Sequence, residues 1–330
     1  MIQKTLLLLF TLIILQGCNF GASGIWVNDN IDKEKQEQIK EINDKLFKAL
    51  LNNDAAGVKA LMSDKLIESG VADLDKLINK VSSSLKADGY RILDEYNVRH
   101  STTGIGTTLP SVKSGDNDYS LSYVPLNKEM YISLLLPNGL DNELLITAIY
   151  GNYDNQWKLN ILQIGQYSLF NKTGPDYFKL AKESYNKTHL IDAVNYIGLA
   201  KQVLKPADKF FQYEKEKEIN EFYEKVMKEA YLKFTFPLTL NNIKTKPKIF
   251  RIQPEMINEG FFPMVSYLTN IDMKDTTALK IENEKVKKEV GQIFLGIDKD
   301  KKYVFYRAFE EMPDGKKLVE HFGFVDKLKD

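Results

Sequence analysis

A single cysteine in 330 residues excludes a disulfide within the chain and a zinc site built on thiolates. Histidine is nearly as scarce. His100, His189 and His321 are the whole set, and none stands at metal-ligand spacing from another histidine or from the cysteine. No G-x-S-x-G elbow is present, so the α/β-hydrolase route to a nucleophilic serine is closed. A P-loop and a G-x-G-x-x-G are also missing; Gly104-Ile105-Gly106 is a lone G-x-G with no helical pattern after it. Asp298-x-Asp300 lacks the glycine and terminal glutamate of a calcium loop, is interleaved with lysines, and reads as a hairpin turn. Asp116-x-Asp118 reads as a loop. Charge of one sign is missing too. Lysine and arginine number 45 and aspartate and glutamate 45, and the isoelectric point is near 6.9. A nucleic-acid binder would carry a basic stripe, so nucleic acid is set aside. No cofactor and no metal is implied.

What is present begins with the place of that cysteine. Lys4 supplies a short positive start, and Leu6 to Leu15 is apolar except for Thr11. As a helix this run covers roughly 15 Å, about half the hydrocarbon core of a bilayer, which is too short to span it and is the length of a signal-peptide core. Leu15-Gln16-Gly17-Cys18 follows. The segment resembles the lipobox of bacterial lipoproteins. That resemblance implies a diacylglycerol on the Cys18 thiol, cleavage before Cys18, and recognition of Leu15 and Gly17 by the signal peptidase. It also implies an envelope location, with the membrane as a partner through the lipid and the protein facing periplasm or surface. Asn19, where Asp would hold a lipoprotein in the inner membrane of well-studied Gram-negative bacteria, favours the outer membrane. Residues 1–17 are then a signal peptide, and 18–30 read as a tether.

Apolar residues make up 43% of the chain and charged residues 27%, the balance of a globular protein with true cores. Residues 18–170 carry 15 basic and 20 acidic groups, residues 171–330 29 and 25, a mild asymmetry. In 33–52, Ile39, Ile42, Leu46, Ala49 and Leu50 form one helical stripe. Asn53-Asp54 closes that helix and opens a shorter one with Val58 and Leu61. Leu74 to Leu85 marks another. The pattern then turns to strands: 90–98, 119–124, 129–136, 143–153 and 156–167, with Asp154-Asn155 as a hairpin turn and Trp157, Leu159 and Ile161 on one face. Residues 101–118 read as a polar loop or a short irregular strand.

A long helix, smaller helices, then a meander closed by a hairpin, with NNDAAGVKALMSDKL after the first helix, resembles the NTF2-like (cystatin-like) α+β family over residues 31–170. The resemblance implies a curved sheet folded round helices and a cone-shaped pocket, used by some members for catalysis and by many for binding alone. Its enzymes set Asp, His or Tyr in that pocket. His100, at the edge of the turn-rich loop, is expected on the surface.

Residues 175–231 read as helical. Tyr177, Leu180, Ala181, Ala193, Ile197 and Ala200 fall at offsets 0, 3, 4, 16, 20 and 23. This is similar to the tetratricopeptide spacing, in which small residues let two helices approach closely. Ser184 stands where that family has an aromatic, Pro206 comes one residue late, and no second copy follows. A generic helical hairpin is the other reading, and a single repeat must pack on its neighbours. A longer helix is expected from Ala207 to about Tyr231.

Residues 232–330 read as a small α+β domain, so the fold class is α+β: an NTF2-like curved sheet with helices, a helical hairpin region, then that domain. Strands are expected at 248–252, 264–270, 303–309 and 318–325, with a helix capped near Asp275-Thr276-Thr277 and stopped by Gly296. Gly260-Phe261-Phe262-Pro263 is either a partner-binding patch, if exposed, or the buried start of a strand, and burial is favoured.

Two functions of different class stay open. One is a lipid-anchored, non-enzymatic module that binds a protein partner or a small ligand. The other is an NTF2-like enzyme doing acid/base chemistry, as a hydrolase or isomerase, on a small substrate. A structural subunit of an envelope assembly is a third. A cavity filled by its own side chains would remove the enzymatic version.

Overall fold

The computed structural model describes residues 22–68, 73–112 and 114–328. Leu15, Gly17 and Cys18 lie outside them. The protein is α+β, and the chain divides into two compact units. One holds the described residues up to Asn171 together with Lys205–Glu214. The other holds Lys172–Leu204 and the chain from Lys215 onward.

The first unit opens with strand β1 (Ala22–Val27) and a single 3-10 turn at Asn28–Asn30. Residues 22–30, expected in a tether, are thus folded: β1 pairs antiparallel with β2 (Tyr90–His100), from Ala22 opposite His100 to Val27 opposite Tyr96. Ile25, Trp26 and Val27 are the reason, since an apolar β-prone run gains more by pairing than by staying extended in water. Helix α1 (Lys33–Leu51) is capped by Asp32, which accepts from the Lys35 amide. Its stripe faces inward, with Ile39, Leu46 and Leu50 fully buried. Asn53 takes a left-handed φ of 55°, and Asp54 then caps α2 (Ala55–Leu61) through the Gly57 amide at 2.8 Å. Helices α3 (Asp64–Glu68) and α4 (Leu74–Ser84) complete the helical layer.

The main sheet runs β1-β2-β5-β6-β7, with β5 Glu129–Pro137, β6 Leu144–Tyr153 and β7 Gln156–Gln166. Asp154 and Asn155, at φ 50° and 66°, form the two-residue turn between β6 and β7, the backbone that matches strand twist and that Asn and Asp tolerate. Three register shifts interrupt this sheet, one of them between Ala22 and Gly24, and the other two re-aim core side chains. At the first of these two, Ile92 pairs with Leu135 and Asp94 with Leu134. At the second, Ile149 pairs with Ile161 and Tyr150 with Leu159, so Asn160 is extra. Trp157 and Leu159 therefore pack into the helix-facing core, whereas past the bulge Leu162 and Ile164 do so instead of the expected Ile161.

A smaller sheet joins β3 (Thr107–Pro110), β4 (Tyr119–Tyr123) and β8 (Phe211–Tyr213). Residues 207–215 are thus not the start of a long helix. Phe211 stacks on Tyr119 with ring centroids 4.3 Å apart, and β8 pairs with β4. Burying two aromatics against a waiting sheet outweighs the few tenths of a kcal/mol per residue that helix propensity offers.

In the second unit, α5 (Gly174–Asn186) starts in a capping box between Thr173 and Asp176, with Pro175 in the first turn. It forms an antiparallel hairpin with α6 (Leu190–Gln202), in which Ala181, Ala193 and Ala200 are fully buried. Helix α7 (Glu216–Lys233) packs on α6. A five-stranded sheet follows in the order β13-β12-β11-β10-β9: β9 Leu238–Thr239, β10 Lys248–Ile257, β11 Gly260–Leu268, β12 Tyr303–Phe309 and β13 His321–Lys327. Helix α8 (Thr276–Ile293), capped by Asp275 through the Ala278 amide at 2.9 Å, carries the chain from β11 to its parallel neighbour β12. Strands β10 and β11 run past the prolines where the sequence pattern stopped. Pro254 and Pro263 face each other in register, and Pro263 lies just outside the Met264–Leu268 stretch that pairs with β12, where no ladder donor is missed.

Candidate functional site

The helix-facing surface of the first unit's sheet, where an NTF2-like pocket would open, is occupied by the protein's own side chains. Tyr150 donates to Asn43 Oδ1 at 2.7 Å and Asn43 donates to Ser133 Oγ at 3.0 Å, all three fully buried. Tyr131 donates to Glu95 Oε2 at 2.7 Å, and Gln36 donates to Glu95 Oε1. On the opposite face, Asp94 accepts from Asn28 at 2.9 Å and from Tyr119. Burial first, then the neighbouring carboxylates, push the Tyr131 and Tyr119 hydroxyls far above the usual phenol range. Locked in the neutral form, they are hydrogen-bond donors and not bases. His100 is not on the surface. It is 4% exposed, with Nε2 2.9 Å from the Tyr123 hydroxyl and the two rings edge to face.

A groove of about 660 Å³ runs along α1 beside β2, lined by Phe47, Leu51, Tyr90 and Ile92 among others. Three of its ionisable groups, Asp44, Lys40 and Tyr90, are tied together. Asp44 accepts from Lys40 and from Tyr90, both at 2.6 Å. Burial would raise its carboxyl, but these two donors outweigh that and hold it below the usual value.

The second unit offers a different kind of opening. A cleft of about 250 Å³ lies between α6, the β10–β11 hairpin and the turn that leads into β12. Asp192, the one acid of α6, meets Lys301 at 2.8 Å, and both side chains are only 8% exposed. Lys301 also donates to the Gly296 carbonyl at 2.6 Å, and His189 Nδ1 lies 4.0 Å from the Asp192 carboxylate. Gly296 is required here twice over. Its φ is +84°, and a Cβ would stand 2.1 Å from the His189 ring. Burial pushes the Asp192 carboxyl up against the pull of Lys301, and burial beside Asp192 raises the Tyr196 hydroxyl. The Asn195 amide and the Tyr196 hydroxyl also line the cleft, with no hydrogen-bond partner of their own among the described residues. A buried ion pair beside open volume, two uncommitted polar groups and an apolar wall are features that small-molecule sites share.

The expected aromatic patch forms part of this wall. Phe262 is buried against Tyr303, with ring centroids 5.1 Å apart. Phe261 is half-buried, edge-on to Tyr177 at 6.4 Å. The pair thus opens a strand, as burial required, while still bordering the cleft. Sequence reasoning missed Asp192, Asn195, Tyr196 and Lys301. The available signal was a lone acid inside LIDAVNYIGLA. The Asp298–Lys302 segment is no hairpin turn but the connection from α8 to β12. No cluster of metal-ligating groups occurs among the described residues, and no helix there is long and apolar enough to cross a membrane.

No protein-family model matches the chain, and no curated protein matches it. Among solved structures, a candidate dehydratase of the NTF2-like family from Streptomyces avermitilis is similar. It is 12% identical, covers 39% of this chain and 93% of its own, and gives a TM-score of 0.18.

Proposed function

We propose that the protein is a lipid-anchored envelope module that binds a compact ligand carrying both charge signs, in the cleft of its second unit. The convergence of Asp192, Lys301, Asn195 and Tyr196 on a space of about 250 Å³ carries this reading. A ligand ammonium has Asp192 and the face of Phe261 to meet, and a ligand carboxylate has Lys301, in exchange for part of its pairing with Asp192. Free amino acids and short peptides have that chemistry and that size. The anchor rests on Leu15-Gln16-Gly17-Cys18 behind its apolar run, with two or more acyl chains giving stable attachment. The first unit is then an NTF2-like fold used as a scaffold, its interior filled by Asn43, Tyr131 and Tyr150. That filling counts against acid/base catalysis there. The α5–α6 pair is tetratricopeptide-like in its spacing of small residues and is used as one wall of the site.

Calorimetric titration with the twenty free amino acids and a set of dipeptides tests the cleft. Saturable binding that Asn195→Ala and Tyr196→Phe each weaken, with unfolding temperatures unchanged, supports it; a blank across both sets removes it. Labelling cells with an alkynyl fatty acid tests the anchor, which requires that Cys18→Ala lose the label.

A further inference from the structure

The fold begins very close to the proposed point of lipidation, and that restricts which part of the first unit meets the bilayer. Only residues 19–21 separate Cys18 from β1. The four steps from Cys18 to Ala22 reach at most about 14 Å even fully extended. An acylated Cys18 sits at the headgroup level, so the start of β1 cannot stand far from the lipid. Ala22 pairs with His100 at the end of β2. The loop 101–106 leaves from that same end, tied back by the Gly104 amide to the Pro125 carbonyl at 3.0 Å, while the His100 amide reaches the Lys128 carbonyl at 2.7 Å.

This end shows bare apolar groups together with basic ones. Ile105 is 51% exposed, Val124 49% and Trp26 37%. Gly24, lacking a side chain, lets the Trp26 ring fold back across it toward the start of the strand, where an added Cβ would stand 2.5 Å from the ring. The Arg99 guanidinium lies over the indole, 5.4 Å from its centroid. Lys128 and Lys209 are exposed nearby, and Lys209 shares a surface hollow with Val124 and Phe210. Glu129 pairs with Lys35 and, at 3.8 Å, with Arg99, and accepts from Asn152 at 3.2 Å. An indole with one polar edge, short aliphatic tips and long cationic stems is the set of side chains that partitions into the headgroup region.

We infer that this end of the first unit, with Trp26, Arg99, Ile105 and Val124, rests in the bilayer interface. The proposal builds on the lipid anchor at Cys18 and goes further, because an anchor alone would permit any face to point at the membrane. The test uses the full, processed protein reconstituted in vesicles of phosphatidylethanolamine and phosphatidylglycerol doped with a lipid brominated near the headgroup. Trp26 and Trp157 are the two tryptophans, and Trp157 is buried in the core. The difference between wild type and Trp26→Phe therefore isolates the Trp26 emission. That emission is expected to fall about twofold and shift to the blue, as an interfacial indole does, while the emission of the Trp26→Phe protein stays unchanged.

Protein that floats with the vesicles while Trp26 remains unquenched overturns the docking and leaves the anchor standing. Protein that fails to float overturns the anchor and the docking with it. Trp26 equally shielded in detergent, at a mass of two chains, assigns the β1 edge to a second copy of this chain and overturns the docking.

Discussion

Two groups of buried carboxylates, Asp94 and Glu95 in the first unit and Asp192 in the second, are met in opposite ways. In the first unit Asp94 and Glu95 are met by neutral donors, the hydroxyls of Tyr119 and Tyr131 and the amides of Asn28 and Gln36. Tyr119 and Tyr131 are buried, while Gln36 and Glu95 border the groove along α1. In the second unit Asp192 is met by a cation, Lys301, and the pair borders open space. A carboxylate held by several uncharged donors specifies one arrangement of the core. An ion pair at the edge of a cleft can exchange part of its mutual attraction for contacts to an incoming charged molecule. The proposed division into a scaffold and a site rests on this contrast.

Breaking the ion pair should give the largest effect. Lys301→Met leaves Asp192 buried without a counter-charge, at a cost of about 3–5 kcal/mol in urea unfolding, and adding Asp192→Leu should recover most of that loss. If the single variant unfolds like wild type, the pair is solvated and the contrast with the first unit collapses. Glu282 of α8 sharpens the comparison with the opposite sign. It is 3% exposed, and neither carboxylate oxygen has a hydrogen-bond partner among the described residues. Glu282→Met is expected to raise stability by about 1–3 kcal/mol, since it removes an unmet polar group. Tyr150→Phe, in the closed network, should cost about 1–2 kcal/mol by orphaning the Asn43 carbonyl, with ligand binding untouched.

The acid limb of stability should differ between the units. At Glu129, burial works upward, but Lys35 and then Asn97 and Arg99 outweigh it, so the carboxyl lies below its ordinary value of 4.5. Its contribution is present above that value and is lost as pH falls through the lower, folded one. Asp192, raised above 3.8, binds its proton more readily when folded. Its contribution therefore grows as pH falls through the folded value. In chemical unfolding followed between pH 6 and 3, Glu129→Gln should flatten the decline, and Asp192→Asn should steepen it once its own offset at neutral pH is subtracted. The smallest effect belongs to the exposed Lys187–Asp300 pair, 2.7 Å apart with both side chains more than half exposed. Lys187→Ala should leave the unfolding midpoint where it is.

Local features were legible in the residues. The stripe Ile39-Leu46-Leu50 needed only helical spacing, and Asp154-Asn155 needed only the tolerance of those side chains for positive φ. Ile161 was misplaced because a single extra residue, Asn160, inverts the alternation after it, and nothing in the spacing announces a bulge. His100 looked like a loop-edge residue because its partner Tyr123 lies a strand away. Phe211 and Tyr213 read as helix until β4 supplied a sheet edge. The cleft was the least legible part. Asp192 and Lys301 are 109 positions apart, and neither carries a motif. Only the packing of α6 beside the turn before β12 gives them a common purpose.

The excursion of residues 205–214 into the first unit has a consequence for the gene. Strand β8 is bracketed on both sides by helices that belong to the second unit. A cut after Asn171 would therefore strip the first unit of the strand that carries Phe211, and a transplanted second unit would bring a stray strand with it. No single cut in the chain separates one whole unit from the other.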